Sequence, residues 1–411
     1  MYLLWLVAHT TRSFILGFEL NTSVCYYVCM GKTVFLIRGI RPEEYGGGEM
    51  YQIKLGTILV SWGFEVFIVT SSEKLLKEAK RKKIKTIQLP YCRCQNWSGW
   101  KNILFPFYCL NIIRLKKWYK KVFERVNPDI VNIQSRDDWI AATSVAKKMG
   151  SKVLWTDHAD FRSWVLTNIN VWYKNWIGKW VLRCAKKADK IIMISDFEKK
   201  SFERIVEPRE YKNLVTVKNG VGDENRKYRN IKNKIGDFCY VGRIVDYKGI
   251  SELIEAFGKV SGKYPNTILN IYGDGEDFEK YKTLASGNKR IYFHGRTDEP
   301  LKVLAENEIF VLPSYREGLS LSLLDAAMMG KKIIASNVDG NPEVVINKKT
   351  GLLVPVKDKD KLAEAMIYML KNKKEASEMA KNARQYYKDN FDFDKIFKEK
   401  MLLLYNNKEE E

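Results

Sequence analysis

The apolar run Ile309–Pro313 feeds the segment Ser314–Gly330, SYREGLSLSLLDAAMMG, in which two carboxylates, Glu317 and Asp325, lie eight positions apart. The run reads as a buried strand, Glu317 falls in the turn after it, an apolar helix opens near Leu319, and Gly330 is a usual helix C-terminal residue. Gly318, Leu319 and Ser320 then lie at the tip of that helix, where backbone N–H groups can hold an anion. Carboxylates on both sides of an anion site suit hydroxyl-rich groups flanking a phosphate. A sugar nucleotide has that layout.

Three other strand exits in the same half carry suggestive residues. Phe238–Val241 runs into Gly242-Arg243, with Lys248-Gly249 a few residues on. Thr267–Tyr272 runs into Gly273-Asp274-Gly275, and Ile291–His294 into Gly295-Arg296. In the first half, Thr33–Arg38 leads to a loop with Gly46, Gly47 and Gly48, and Val153–Thr156 leads to Asp157-His158. A triple glycine is by itself most often a flexible turn, and a lone histidine is more often structural than catalytic.

The elements that must position these residues are short apolar strands alternating with helical stretches, twice over. That pattern predicts an α/β protein with two Rossmann-like parallel sheets. Strands are expected at Thr33–Arg38, Glu65–Thr70, Thr86–Leu89, Ile130–Ile133, Val153–Thr156, Ile191–Ile194 and Val215–Val217. A polar stretch, Ile231–Ile235, reads as a linker, after which the scheme repeats through Leu352–Val354. The domains are therefore placed at 30–230 and 236–388, with a helix at 391–405 crossing back to the first. Ligands of open parallel sheets sit beyond the strand carboxyl ends, so two such domains facing across a cleft would hold a donor and an acceptor.

With 411 residues, 45% of them apolar, the chain has enough for two cores, and disorder is excluded. A net charge of +21 attracts nucleic acid, anionic lipid or phosphate-bearing substrates, and charge alone does not choose among them. No nucleic-acid-binding motif is present, so that class is set aside. The seven cysteines are scattered and Cys92 and Cys94 have one residue between them, which is not zinc spacing; free thiols in a reducing cytosol are expected. Residues 1–29 lack both a basic start and a run long enough to span a membrane, and Met30 is read as the native start.

Taken together, Gly242-Arg243, Lys248-Gly249, Gly273-Asp274-Gly275, Glu317 with Asp325, and Asp339-Gly340-Asn341-Pro342-Glu343 resemble the retaining family-4 glycosyltransferases of the GT-B fold. The resemblance covers essentially 33–405 and is most specific over 238–356. It implies that Arg243 and Lys248 bind the donor diphosphate, that Glu317 lies by the transferred sugar, and that Asp325 lies on the nucleotide ribose. It also implies that Gly47 and Gly48 approach the donor, that His158 sits near the sugar at the cleft mouth, and that Gly242, Gly273, Gly275, Arg296, Gly318, Leu319 and Ser320 complete the donor site. Catalysis is then assigned to Glu317, His158, Arg243 and Lys248, with no cofactor and no metal. Two fixed cations neutralise the departing nucleoside diphosphate. The chain departs from the family at Asp325, where glutamate is usual, and at Asp339, where glycine is usual and an added carboxylate could re-aim the sugar pocket. Asp358/Asp360 and Asp392/Asp394 read as helix caps and not as metal ligands.

Cations dominate Lys74–Arg125, interleaved with Trp97, Trp100, Phe105, Phe107, Tyr108 and Trp118, and Trp172, Trp176 and Trp180 recur four apart. The tryptophan stripe either packs beneath the first sheet or meets lipid headgroups. The expected activity is transfer of a hexose from a nucleoside-diphosphate sugar to a sugar or lipid-linked acceptor. The expected place is the cytoplasm, peripherally on the inner face of the plasma membrane. The alternatives are a sugar-nucleotide-binding scaffold without turnover and a sugar-nucleotide epimerase of the same fold.

Overall fold

A computed structural model describes residues 31–42, 46–90, 105–158, 172–204, 206, 211–232 and 234–406. Two parallel sheets organise them. The first holds β1 (Thr33–Arg38), β2 (Glu65–Thr70), β3 (Lys85–Gln88), β4 (Ile130–Ile133), β5 (Lys152–Asp157), β6 (Lys190–Met193) and β7 (Leu214–Thr216), ordered β3-β2-β1-β4-β5-β6-β7. The second holds β8 (Lys234–Val241), β9 (Leu269–Tyr272), β10 (Ile291–Gly295), β11 (Asn307–Leu312), β12 (Lys332–Ser336) and β13 (Leu352–Val354), ordered β10-β9-β8-β11-β12-β13. By contacts, the described residues of 1–155, 187–189 and 402–411 form one compact unit and those of 156–186 and 190–401 another.

Both orders reverse direction once, beside β1 and beside β8. Such a reversal opens a crevice at the carboxyl ends of the two central strands, where ligands of doubly wound sheets sit. The central strands are apolar on both faces, as helix-covered parallel strands must be. Val34 to Ile37 are fully buried, as are Phe238, Tyr240 and Ile309 to Val311. The helix Ile250–Lys263 covers the second sheet with Leu253, Phe257 and Val260, spaced for one helical face. In the first unit, Trp139 and Trp155 stack at 5.0 Å, and each indole N–H is satisfied, by the Ile133 carbonyl and the Thr143 hydroxyl. The last helix, Lys398–Tyr405, ends on Tyr405, whose hydroxyl accepts from Asn132 Nδ2 at 2.7 Å.

Several expectations shift. Lys234 and Ile235, read as linker, are the first residues of β8, because Asn307 of β11 extends far enough to pair with Lys234. The third strand lies one residue earlier than Thr86–Leu89. On the helix Trp172–Ala185 the buried face is Ile177, Val181, Cys184 and Ala185. Trp176 is 64% exposed and so does not pack under the sheet, whereas Trp180 is half-buried. Asp358 and Asp392 do cap helices, accepting from the N–H groups of Asp360 and Lys361 and of Asp394. Among the described residues no helix is long and apolar enough to cross a membrane. Residues 1–29, Tyr45, Cys92, Cys94, Trp97, Trp100 and Trp164 lie outside the described residues.

Candidate active site

The second sheet's crevice is built by backbone before any side chain enters it. Gly242 N–H donates to the Tyr272 carbonyl at 3.0 Å, and Gly273 N–H to the Gly295 carbonyl at 2.8 Å, so the exits of β8, β9 and β10 are laced together. Gly273 sits at φ +145°, and a Cβ there would lie 1.7 Å from the Gly242 carbonyl oxygen. A Cβ on Gly340 would lie 1.9 Å from the Gly318 carbonyl oxygen, so the loop after β12 rests directly on the turn that carries Glu317. No side chain fits at either place. Across the reversal, Tyr315 N–H donates to the Tyr247 carbonyl at 2.8 Å, joining the exits of β8 and β11.

On this scaffold Lys248 Nζ meets Glu317 Oε1 at 2.6 Å, with only 14% and 8% of the two side chains exposed. The Ser314 hydroxyl donates to the same oxygen at 2.7 Å. Glu317 N–H donates to Asp339 Oδ2 at 3.0 Å, which holds the turn from below. Asp339 is at φ +49°, the left-handed region that explains why glycine suits this position. Its carboxylate therefore braces the Glu317 turn. Beneath the cluster the Tyr240 hydroxyl donates to the Arg243 carbonyl at 2.7 Å; burial, with Glu317 beside it, pushes its pKa well up and keeps it a donor.

Arg243 Nη2 donates to the Tyr247 hydroxyl at 2.6 Å. The Arg316 guanidinium lies 4.7 Å from the centre of the Tyr247 ring, and Lys248 Nζ 5.5 Å from it. One tyrosine thus gathers three cations, which the ring's negative face tolerates. Sequence reasoning missed Tyr247 and Arg316. Both directly precede residues it did single out, Lys248 and Glu317, and that adjacency is the only signal the sequence carries for them. Arg243, Lys248 and Arg316 thus converge at this exit, a grouping of cations suited to a polyanion.

The other expected residues are placed as follows. Gly275 follows β9, its N–H donating to Asp274 Oδ1 at 2.8 Å. Gly318, Leu319 and Ser320 form the turn before the helix Leu321–Met328, which starts two residues later than expected, with Ser320 as its N-cap. Asp325 is half-buried in the second turn of that helix. Arg296 follows β10 at the sheet edge, two strands from β8, and faces Asp298 at 3.9 Å. Near it His294 stacks on Tyr272 at 4.2 Å and shares a 2.9 Å hydrogen bond with Asn270; burial lowers its pKa. Glu343, at the end of the Asp339–Glu343 segment, accepts from Phe197 N–H at 2.7 Å and pairs with Lys218 at 3.0 Å, so it serves as a helix cap.

In the first sheet, Gly47 and Gly48 begin the helix Gly47–Ser61 after β1. A Cβ on Gly48 would lie 2.5 Å from the Arg38 guanidinium, which pairs with the buried Glu49 at 2.6 Å. Burial raises the Glu49 pKa, but the Arg38 charge more than reverses this and holds it low. The same exit is tied to β4's by Asp138, which accepts from Gly39 N–H at 2.8 Å and the Tyr119 hydroxyl at 2.6 Å. His158 follows β5 directly and is half-buried.

Comparison with known proteins decides what kind of crevice this is. The "Glycosyltransferase Family 4" pattern matches residues 45–225 and the "Glycosyl transferases group 1" pattern residues 221–386. The chain belongs to the family-4, group 1 glycosyltransferases. An uncharacterized glycosyltransferase of Methanocaldococcus jannaschii is 32% identical over 56% of this chain and 61% of its own length. The chain thus spans under two thirds of that relative. The UDP-Gal:alpha-D-GlcNAc-diphosphoundecaprenol alpha-1,3-galactosyltransferase of Escherichia coli is 27% identical over 68% of this chain and 77% of its own. A crystal structure of a glycosyltransferase from Rickettsia africae superposes with a TM-score of 0.75 at 18% identity, covering 92% of this chain and all of that one. That last likeness is one of fold, and the fold is GT-B. For a GT-B glycosyltransferase the Lys248–Glu317 cluster stands at the second sheet's reversal, where the general rule for such sheets puts a ligand.

Proposed function

We propose that the chain is a retaining, metal-independent hexosyltransferase that uses a nucleoside-diphosphate sugar and a lipid-linked or sugar acceptor. The observation that carries this reading is the set of three cations around Tyr247, with Lys248 bonded to Glu317, at the exits of β8 and β11. Arg243 and Lys248 would take the two phosphates. As the sugar's anomeric C–O bond breaks, negative charge grows on the leaving phosphate oxygen, and fixed cations in a sheltered site stabilise it. The acceptor hydroxyl attacks from the same face, its oxygen bonds to the anomeric carbon, and its proton passes to that phosphate oxygen. Glu317 and His158 position the sugar, and Asp325 holds the ribose. The lipid-linked acceptor is supported by the E. coli relative, whose name gives a diphosphoundecaprenol-linked substrate. Work on the cytoplasmic face of the membrane belongs to the same proposal.

A thermal-shift panel of nucleoside-diphosphate sugars in the presence of a chelator tests it. A ligand at about 100 times its dissociation constant adds about 2.7 kcal/mol of stability. A sugar nucleotide should raise the melting temperature without divalent metal, and Lys248→Ala should abolish the shift. Stabilisation that requires the metal refutes metal independence, and no response to any sugar nucleotide refutes the donor site. Asp325, where the family has glutamate, favours a second reading, a binding scaffold without turnover. Tight donor binding with neither hydrolysis nor transfer would establish it.

A further inference from the structure

We propose that the outer face of the helix Phe105–Val126 docks on an anionic membrane surface. The inference rests on the lipid-linked-acceptor reading for its purpose, though its evidence is independent of that reading. One face of the helix is fastened to the first unit. Tyr108, Ile112, Leu115, Tyr119 and Phe123 are buried, and the Tyr108 and Tyr119 hydroxyls donate to Asp137 and Asp138 at 2.9 and 2.6 Å. The helix is therefore rigid and has already buried the face that a globular fold requires.

The opposite face is apolar where it should be polar. Phe107, Leu110 and Ile113 are 58%, 59% and 48% exposed and recur every three residues on the water side. Among the described residues ten large apolar side chains are exposed, and three of them fall in these seven consecutive positions. Scattered exposed apolar residues mean nothing, whereas a ridge of them does. Directly after the ridge the charge turns positive. Arg114, Lys116, Lys117, Lys120, Lys121 and Arg125 stand against Glu124 alone, six cations to one anion.

An apolar ridge continuous with a lysine-rich face matches an anionic lipid interface, which takes the apolar side chains among the acyl chains and the cations at the headgroups. A protein partner fits less well, since lysine is depleted in the core of protein interfaces. Trp118, on the same helix about 12 Å along its axis from Leu110, lines a cavity of about 350 Å³ with Ser71, Glu73 and Gln88 at the exits of β2 and β3. A ridge seated in the headgroups brings that cavity, whose lining also includes Pro42, Leu89 and Pro90, within reach of the sugar end of a lipid-anchored molecule.

The test is flotation of the full-length protein with phosphatidylcholine vesicles, with and without phosphatidylglycerol. Wild type should bind only the anionic vesicles and be released by salt. Phe107→Ser/Leu110→Ser/Ile113→Ser and, separately, Lys117→Glu/Lys121→Glu should each weaken binding about 100-fold, with thermal unfolding unchanged. Wild-type binding that is equal on neutral vesicles, absent from both, or unaltered in both variants overturns the proposal. Ridge-dependent self-association in light scattering without vesicle binding overturns it in favour of a second copy of the chain. Transfer to a detergent-solubilised acceptor should survive the ridge substitutions. If that transfer is absent in wild type while vesicle binding persists, the functional reading fails and the docking surface stands.

Discussion

Replacing Lys248 and Glu317 singly and together separates a structural ion pair from a working one. At 2.6 Å and an effective dielectric near 20 the pair attracts by about 6 kcal/mol. Withdrawing both ions from water costs several kcal/mol each, so the pair contributes little net stability to the fold. Lys248→Met strands a carboxylate that is 8% exposed, and Glu317→Leu strands an ammonium that is 14% exposed. Each single variant should lose about 3 kcal/mol, the lower end for a broken buried pair because some water still reaches both groups. The double variant leaves no unpaired charge. It loses only the acceptor of the Ser314 hydroxyl, about 1 kcal/mol. Urea unfolding of the four proteins should therefore show a coupling of about 5 kcal/mol. Activity should behave oppositely. Loss of a cation that meets the leaving phosphate raises the barrier by about 3–4 kcal/mol, and nothing apolar replaces it. Donor turnover in the double variant should stay at least 100-fold down while its stability recovers. Recovery of turnover along with stability would show that the pair only holds the loops together, and the assignment of Lys248 to the donor would fall.

Three further outcomes are expected. Tyr247→Phe removes the hydroxyl that accepts from Arg243 at 2.6 Å but keeps the ring facing Arg316, so donor KM should rise about 5- to 10-fold with kcat nearly constant; an unchanged donor Kd contradicts a positioning role. Gly340→Ala drives a Cβ to within 1.9 Å of the Gly318 carbonyl and should cost about 1–3 kcal/mol of stability, with a larger loss of turnover than of fold. Wild-type kinetics there would mean that the Glu317 turn tolerates displacement. Lys331 is buried with its ammonium on the Ala305 and Asn307 carbonyls, and burial pushes its pKa down to about 8. The unfolded chain holds that proton up to about 10.5, so it binds more protons than the native state between the two values. Stability should rise by about 3 kcal/mol from pH 8 to 10.5, and Lys331→Met should flatten that rise; identical pH profiles for both proteins remove the argument.

What could be read in advance follows from where the information resides. Buried parallel strands write themselves as apolar runs, so Thr33–Arg38, Glu65–Thr70, Ile130–Ile133 and Leu352–Val354 match their strands residue for residue. Glycines at strand exits were legible too, because close backbone contact leaves no room for a side chain at Gly273 or at Gly340. Strand pairing was not. Whether Lys234 is linker or strand depends on how far Asn307 reaches, a register that neither segment encodes alone. The tryptophan spacing left two directions open for a related reason, and Trp176 takes the outward one. Period identifies a face but not its direction, and Ile177, Val181 and Cys184 carry the same period one residue round the helix.

Asp339 shows how a departure from a family pattern is to be weighed. From sequence alone an extra carboxylate beside the donor loop looks like a change of sugar pocket. In the structure its backbone takes the left-handed conformation that glycine would take, at φ +49°, and its carboxylate accepts Glu317 N–H. Aspartate is one of the few side chains that tolerates this conformation, because its short polar group bonds locally. The exchange of glycine for aspartate therefore adds a hydrogen bond to the turn it supports. Holding the backbone of Glu317 from below leaves its side chain with Lys248 and Ser314, which is what a residue that must not move during transfer needs. Asp339→Asn keeps both the conformation and the acceptor oxygen, so its effect on turnover should be under about 10-fold; Asp339→Ala keeps neither and should cost about 2 kcal/mol more. Equal activity in the two variants would return Asp339 to the role first suspected for it, a carboxylate facing the donor.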